Sequence, residues 1–314
     1  MVVLTNCACL VKNGTIVKIP ESAMIAGCGY VGGRIAATWH ARGMRVCAIT
    51  RNKAKAKELA NAGITPILFD LAQTTPMPEL PNVDVVLWSV GFERTSGASR
   101  QAIWIDGLQR LLHALPPRTE ARRILYTSST SVYGDGYGED VDEHTLPIPT
   151  SEGGIACLAA EQLLQEFARQ SSACVSILRL AGIYGPNRLL RRTTDLLDNV
   201  PIMSSPDEWL NLIHVDDAVT AIDAVSRMSV PPSLINIVAG QSVIRREYYA
   251  TLAKLVDAPP PQFAASISES ASQPHRRRGG NRRVVSGVRE SLQIPFKYDS
   301  IIEGLNAAVG ELRV

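Results

Sequence analysis

Short apolar runs alternate with longer amphipathic segments along most of the chain, beginning near Ser22. The first pair is the apolar run 23–26 followed by 31–42, where apolar side chains recur at helical spacing. Buried parallel strands give continuous apolar runs, and each strand needs a crossover connection, usually a helix, to reach the next. The pattern therefore predicts an α/β fold, a doubly wound parallel sheet with helices on both faces.

The same alternation continues to the end of the chain, with weaker regularity after residue 186. The later predicted strands are 45–49, 65–69, 83–90, 124–128, 175–180 and 212–215, with 234–238 as a further candidate. The later predicted helices are 54–62, 100–114, 155–170, 217–226, 245–255 and 299–312.

The turn between the first strand and the first helix has the sequence GCGYVG at residues 27–32. In a Gly-x-Gly-x-x-Gly turn, the first glycine permits a tight bend, the second lets a pyrophosphate approach the backbone and the third lets the helix pack on the strand. The free N–H groups of the helix then face the phosphates. The turn predicts a Rossmann-type, dinucleotide-binding domain with Gly27, Gly29, Tyr30, Val31 and Gly32 as cofactor contacts.

The end of the second strand indicates which dinucleotide binds. Enzymes that use NAD place an acid there for the ribose hydroxyls, whereas this chain has Thr50 and Arg51. Because a guanidinium can clamp a 2′-phosphate, NADP is favoured over NAD. The alternative for Arg51 is an ordinary solvated charge. Asp70 follows the third strand, as an adenine contact or a helix cap, and Ser89 follows the fourth, where it is expected to line the crevice.

Composition and charge exclude several classes of function. The formal charge is +2, and no apolar run is long enough to span a bilayer, so neither nucleic acid nor membrane is expected as the main partner. The six cysteines show no zinc-ligand spacing, and Cys7 and Cys9 lack further ligands, so no metal site is expected. A soluble, cytoplasmic protein with reduced thiols fits these features.

Four blocks of sequence, in this order, carry a resemblance that runs from about Ala23 to the C-terminus. They are GCGYVG at 27–32, YTSSTSVYG at 126–134, LRLAGIYGP at 178–186 and IHVDD at 213–217. With them the chain resembles the extended and atypical short-chain dehydrogenase/reductases, in the NAD-dependent epimerase/dehydratase-like branch.

The resemblance implies a catalytic site and shows where this chain departs from it. In the family, the residue matching Ser129 hydrogen-bonds the reacting oxygen, and a Tyr-x-x-x-Lys pair on the next helix supplies the acid–base group and a cation that holds the nicotinamide ribose. Here Gly153 stands at the tyrosine position and Cys157 at the lysine position. Since a positioned acid or base contributes roughly 10²- to 10⁴-fold in rate, ordinary carbonyl reduction is in doubt.

Other groups are candidates for the missing proton donor. Tyr137 lies on the glycine-flanked loop 134–138 and is the favoured tyrosine, with water as an alternative. Tyr133 and Tyr184 occupy positions that the family explains by packing near the cofactor, and Tyr184 is expected to contact it. Cys157 is either a reactive thiol or a buried helix cysteine.

Two further features remain open to more than one interpretation. The histidine and aspartates of IHVDD are expected to open a helix rather than to catalyse. The arginines at 276–278 and 282–283 face either solvent or an anionic, nucleotide- or phosphate-linked substrate.

The leading function is an atypical NADP(H)-dependent oxidoreductase or epimerase/dehydratase-like protein acting on a small molecule. The alternative is a catalytically inactive NADP(H) sensor. The predicted organisation is an N-terminal extension (1–22), an NAD(P)-binding domain (23–186, with 212–239 returning to it) and a substrate lobe (187–211 and 240–314). Family habit suggests a homodimer formed through the helices near 100–114 and 155–170.

Overall fold

The computed structural model describes residues 19–264 and 281–310. Most of the predicted N-terminal extension 1–22, with Cys7 and Cys9, lies outside the described residues. So do the three arginines at 276–278. No helix in the described part of the chain has the length and apolar content that crossing a bilayer requires.

The first half of the described chain follows the predicted strand–helix alternation. Its elements are β1 (Ser22–Ala26), α1 (Gly32–Ala41), β2 (Arg45–Thr50), α2 (Lys53–Asn61), β3 (Thr65–Leu68), β4 (Val85–Trp88), α3 (Leu108–Ala114), β5 (Arg123–Ser129), β6 (Asp140–Val141), α4 (Glu152–Gln170) and β7 (Cys174–Leu180).

The second half contains shorter strands around three longer helices. Its elements are β8 (Gly182–Tyr184), α5 (Thr193–Leu197), β9 (Ile202–Met203), β10 (Trp209–Leu210), β11 (Leu212–His214), α6 (Val215–Arg227), β12 (Leu234–Ile237), β13 (Val243–Ile244), α7 (Arg245–Leu255), β14 (Phe263–Ala264), β15 (Arg283–Val284) and α8 (Ile301–Gly310).

A seven-stranded sheet in the order β12-β7-β5-β4-β1-β2-β3 forms the centre of the fold, which confirms the predicted Rossmann-type α/β architecture. Strand β1 runs parallel to both β2 and β4 and is buried along its whole length. The chain order reverses between β1 and β4, because β2 and β3 extend the sheet to one side and the later strands extend it to the other. In open parallel sheets, ligands bind at the carboxyl ends of the strands beside this reversal.

One predicted helix has a different start. The predicted helix 100–114 begins as a π-helical segment, Gln101–Gly107, and becomes α-helical only in α3. Gly107 lies so close to the carbonyl of Leu71 that a Cβ there would approach its oxygen to 2.6 Å. Arg110 donates a hydrogen bond to the same carbonyl at 2.6 Å. The π-helical segment therefore ends at the residue where the two backbones approach most closely.

The described chain packs into two compact units, of which the first contains most of the sheet. It comprises the described residues 19–128 together with Ile155–Arg179 and Ala221–Ile235. Its core packs apolar side chains of the central strands, such as Met24 and Val86, against α3 and α4 through Leu111 and Leu164. The predicted role of this part of the chain, NAD(P) binding, stays a prediction at this point.

The second unit contains Ser129–Gly154, Leu180–Thr220 and the described residues from 236 onward. Its division differs from the predicted boundary at residue 186, because β6 pairs with β15 and Arg282 binds the segment after β5. The Arg282 guanidinium donates to the carbonyls of Thr130 and Gly134 at 2.8 and 2.9 Å. Arg282 is therefore a buried structural residue, not the solvated or substrate-facing group expected.

A buried ion pair in the first unit links α4 to β7. Glu161 is 1% exposed, and its carboxylate accepts hydrogen bonds from Arg179 Nε at 3.0 Å and Nη2 at 2.7 Å. Ser128 Oγ donates to the same carboxylate at 2.5 Å. A charge removed from water is tolerated only when such partners surround it. The Glu161 carboxylate thus links α4 to Arg179 of β7 and to Ser128 near the end of β5.

Replacing Glu161 by Ala is expected to lower the free energy of unfolding by about 3–5 kcal/mol, because it leaves Arg179 buried without its counter-ion. Urea denaturation followed by circular dichroism measures this change. The matched control is Glu166→Ala on the same helix, where the partner Arg169 is exposed and little change is expected. Equal effects of the two substitutions would contradict the role given to burial.

Candidate functional site

The glycine turn after β1 is shaped by close backbone contacts. Gly27 has φ +91°, a conformation that favours glycine, and a Cβ there would lie 2.5 Å from the carbonyl oxygen of Ser89. A Cβ on Gly32 would overlap the carbonyl of Gly27. Ser89 N also donates to Ala26 O at 2.8 Å. The structure therefore brings Gly27 and Ser89 together where the strand order reverses.

The middle glycine of the turn faces open space. Gly29 is exposed, and a Cβ placed on it would meet no described atom within 4 Å. The turn leads into the N-terminus of the ten-residue helix α1, whose N-cap Val31 makes no side-chain capping hydrogen bond. A helix N-terminus carries partial positive charge and unpaired N–H groups. The turn and the helix together form a cradle that fits a pyrophosphate.

Tyr30 lies at the rim of this cradle. The guanidinium of Arg34 stacks over its ring at 4.2 Å from the centroid and donates to its carbonyl at 2.8 Å. Gly91, two residues beyond Ser89, is also exposed with no described atom near a notional Cβ. The Arg34 guanidinium and the exposed backbone of Gly91 therefore lie beside the predicted phosphate position.

An open cavity of about 460 Å³ lies at the carboxyl ends of β2 and β3. It is lined by Arg51, Asn52, Leu68, Phe69, Asp70 and Gln73. The structure thus groups the predicted residues Arg51 and Asp70. Asp70 Oδ1 accepts from Ala72 N at 3.0 Å, so it stabilises a turn rather than capping a helix. Thr50 lies just before Arg51, and its Oγ1 accepts from Asn52 N at 3.2 Å.

Arg51 has an acidic partner that the sequence did not indicate. Its guanidinium forms an ion pair with Glu93, which lies on the loop after β4 and is 42 positions away in the chain. The side chains are 40% and 66% exposed. The sequence shows only Thr50 and Arg51 at this strand end, and the fold adds the carboxylate of Glu93. Only the fold brings the ends of β2 and β4 close enough for this contact.

The residues after β5 form a tight turn in the second unit. Ser129 is half-buried, and its Oγ accepts a hydrogen bond from Ser131 N at 3.1 Å, which begins the 3-10 turn Thr130–Val132. A Cβ on Gly154, near the start of α4, would overlap the carbonyl of Ser131. The Ser129 hydroxyl is thus held by a hydrogen bond within its own turn. The backbone of that turn lies so close to Gly154 that position 154 has no room for a side chain.

Tyr137 is the most exposed large side chain among those predicted to act. It is 87% exposed and has a positive φ of 53°. Its backbone N–H donates to Asp135 Oδ1 at 2.9 Å. The phenol has no described structural task, and its role as a proton donor stays a prediction.

The positions of the family's catalytic pair lie in the first turns of α4. Gly153 supplies no side chain, and Cys157 is 5% exposed. Burial, with a smaller effect of Glu161, raises the pKa of the Cys157 thiol to about 11. The thiol is protonated at neutral pH, so the structure favours the buried helix cysteine over the reactive thiol.

Two predicted tyrosines are packed inside the second unit. Tyr184 has no exposed surface, and its hydroxyl donates to Ile301 O at 3.2 Å. The expected contact between Tyr184 and the cofactor does not fit this position, because the side chain has no exposed surface to offer. Tyr133 is equally buried and donates to Asn236 Oδ1 at 2.9 Å. His214 packs against Tyr184, with ring centroids 5.3 Å apart, in keeping with a structural role for that block.

A larger cavity of about 750 Å³ opens at the opposite edge of the sheet. Its lining includes Ser22, Arg45 and Thr65 at the starts of β1, β2 and β3. Because parallel sheets bind ligands at the carboxyl ends of their strands, the smaller cavity and the glycine turn, and not this larger space, mark the candidate site. The described residues contain no group of three or more His, Cys, Asp or Glu placed to hold a metal ion.

A family model for nicotinamide-dependent enzymes matches the part of the chain that contains the cradle. The family model described as NAD dependent epimerase/dehydratase matches residues 23–238, more than half of the chain. The chain belongs to this family. The match spans the glycine turn, the Ser129 turn and strand β12, and it confirms the resemblance to the epimerase/dehydratase-like branch.

Individual relatives are more distant. The chain is 26% identical over 290 residues to Protein YeeZ of Escherichia coli strain K12, covering 88% of this chain and 96% of that protein. It is 26% identical over 217 residues to the dTDP-L-rhamnose 4-epimerase of Burkholderia thailandensis, covering 55% of this chain and 60% of that enzyme. The UDP-glucuronic acid 4-epimerase of Bacillus cereus, solved with UDP-glucuronic acid and NAD, has a TM-score of 0.75 at 20% identity, covering 93% and 99% of the two chains.

The middle and last glycines of the cradle are expected to respond differently to substitution. Gly29→Ala should leave the melting temperature nearly unchanged and weaken NAD binding, because its Cβ would project into the space for the pyrophosphate. Gly32→Ala should lower the melting temperature, because its Cβ overlaps Gly27 O. Calorimetric titration with NAD and thermal unfolding measure both. Unchanged NAD affinity in a folded Gly29→Ala variant would contradict the proposed cradle.

Proposed function

We propose that this protein uses a bound nicotinamide dinucleotide to oxidise and reduce a hydroxyl carbon of a nucleotide-linked sugar, as an epimerase or dehydratase of its family. The observation that carries the proposal is the cradle at Gly27, Gly29 and Gly32, where tight contacts on both sides of an open position leave room for a pyrophosphate. The substrate class is supported by the relatives that are named as nucleotide-sugar epimerases.

Each group of described residues has a separate role in this proposal. The N-terminus of α1 holds the pyrophosphate, and the cavity beside Asp70 takes the adenosine end. The cofactor, when bound, accepts and returns a hydride. Ser129 Oγ, already oriented by Ser131 N, hydrogen-bonds the reacting oxygen. A group such as Tyr137 or a water molecule transfers the proton, because Gly153 offers none.

The choice between NAD and NADP depends on Arg51 and Glu93. An unpaired Arg51 would favour the 2′-phosphate of NADP, which is the preference predicted from the sequence. With Glu93 bound to it, the same position presents a carboxylate that repels a 2′-phosphate and can accept a hydrogen bond from a ribose hydroxyl. The pair therefore favours NAD as the cofactor, in keeping with the name of the family.

Glu93→Gln is expected to shift the preference toward NADP by roughly 10-fold, because it removes a charge that opposes the phosphate and frees Arg51 to bind it. Calorimetric titration with NAD and with NADP gives the two dissociation constants.

Arg51→Ala is the matched variant, and it should weaken NADP without weakening NAD. Glu58→Gln, which removes an exposed acid of α2 that pairs with Lys55, is the control and should change neither constant. A ratio of the two constants that is the same in wild type and Glu93→Gln would refute this account of cofactor choice.

A second function has one specific observation in its favour. The tyrosine and lysine of the family are absent, Gly153 has no side chain, and burial raises the pKa of the Cys157 thiol to about 11, so these two positions supply neither the acid–base group nor the cation of the family. Such a protein would bind the dinucleotide and signal its state without turnover. Each function requires the cradle, and only the first requires Ser129.

Turnover is tested by incubating the NAD-loaded protein with UDP-glucuronic acid or UDP-glucose and separating the 4-epimers by chromatography. Ser129→Ala should lower the rate about 10²-fold or more with unchanged NAD affinity, because it removes a hydrogen bond to the reacting oxygen. Ser171→Ala, at an exposed serine after α4, is the control. Tight NAD binding with no epimer and no bound NADH would favour the sensor.

A further inference from the structure

One arginine lies in the first turn of α1, where a positive charge is unfavourable. Arg34 is the third residue of this helix, and the turn contains no acidic side chain. The amino end of a helix carries partial positive charge, so a cation there raises the free energy unless an anion lies close to it. The first turn of α1 therefore concentrates positive potential where the cradle opens.

The Arg34 side chain folds back over the glycine turn. Side chains of a helix lean toward its N-terminus, and this one reaches the residue four positions before it. Its Nη1 donates to Tyr30 O at 2.8 Å, and its guanidinium carbon lies 4.2 Å from the centroid of the Tyr30 ring. Tyr30 directly follows Gly29, the open position of the cradle. These two contacts fix the charge on the residue next to the space for the pyrophosphate.

The Arg34 guanidinium keeps N–H groups that a ligand can use. One N–H is bound to Tyr30 O, the side chain is half-buried, and no carboxylate in the described ranges forms an ion pair with it. Nearby cations are different, because Arg51 is paired with Glu93 and Lys55 with Glu58. A guanidinium that is already stacked loses little freedom when it binds a ligand. Arg34 is thus a fixed cation that no described acid neutralises.

We infer that Arg34 binds the pyrophosphate of the dinucleotide. Nη1 stays on Tyr30 O, and the other N–H groups of the guanidinium donate to a phosphate oxygen. This inference rests on the proposed function. The backbone N–H groups of the turn and helix are neutral donors, whereas Arg34 adds charge-assisted hydrogen bonds, which are roughly twice as strong. Arg34 supplies charge and orientation and takes no part in hydride or proton transfer.

The bound anion would also explain why the arginine is tolerated in the helix. A phosphate beside Arg34 faces the positive end of α1 and the guanidinium at once, so the unfavourable charge of the free protein becomes a favourable one in the complex. The stack on Tyr30 requires a planar cation, which lysine does not provide. Lysine at this position is therefore expected to replace the charge but not the fixed orientation.

The test compares three ligands by calorimetric titration of the full chain. NAD and ADP carry the pyrophosphate, and adenosine does not. Arg34→Gln is expected to weaken NAD and ADP binding roughly 10-fold, the loss typical of one charged hydrogen bond, and to change adenosine binding less than about 2-fold. Arg34→Lys should bind NAD more tightly than Arg34→Gln and more weakly than wild type.

The matched control is Arg45→Gln, which removes the same charge from an exposed arginine at the amino end of β2, on the opposite edge of the sheet. It should alter the affinity for none of the three ligands.

Thermal unfolding separates binding from a structural role. Because a cation in the first turn opposes the helix dipole, Arg34→Gln should leave the melting temperature of the ligand-free protein nearly unchanged. The rise in melting temperature on adding NAD should be smaller in Arg34→Gln than in wild type, since this rise depends on the affinity. In Arg45→Gln the rise should equal that of wild type.

The outcomes distinguish the inference from the proposed function. Unchanged affinity of Arg34→Gln for NAD and ADP, where wild type binds both, would overturn the inference and leave the proposed function standing. An equal loss for adenosine, or a ligand-free variant that melts well below wild type, would show that Arg34 is structural and would overturn it too. If wild type binds neither NAD nor ADP, the cradle is refuted, and the inference falls together with the proposed function.

Discussion

The site depends on how closely the backbone after β1 approaches the backbone after β4. Gly27 and Ser89 touch without room for a side chain, and Gly32 fits against Gly27 in the same way. These contacts fix the angle at which α1 leaves the sheet. The helix dipole and its N–H groups then point at one place, and the ends of the neighbouring strands surround it.

Much of the fold follows from local pattern. Strand β1 is buried along its whole length and after Ser22 it is an uninterrupted apolar run, and the glycine spacing that follows it has one geometric explanation. The ends of the predicted strands are less accurate than their order. The predicted strand 83–90, for example, contains the shorter strand Val85–Trp88. The π-helical start before α3 has no signature in the spacing of apolar residues. The segment ends where Gly107 approaches Leu71, a contact that only the packed structure reveals.

The contacts that the sequence did not show are made by arginines with residues in distant segments. Arg51 and Glu93 lie 42 positions apart, and neither position is marked by a motif. Arg282 looked like one of a group of surface arginines and is instead a buried donor to Thr130 and Gly134. The charge of an arginine does not by itself identify its partner. The side chain is long, and the fold determines which distant residues come within its reach. The glycine turn was predictable since its constraint is local.

The Arg51–Glu93 pair also has a consequence for how this lineage can change. Both side chains are more than a third exposed and contribute little to the stability of the sheet. A substitution at either one changes the charge at the carboxyl ends of β2 and β4, where the proposed ribose site lies, while the cradle and the core stay intact. If the pair sets the cofactor as proposed, single surface substitutions change the dinucleotide preference, and proteins of opposite preference can share one unaltered scaffold.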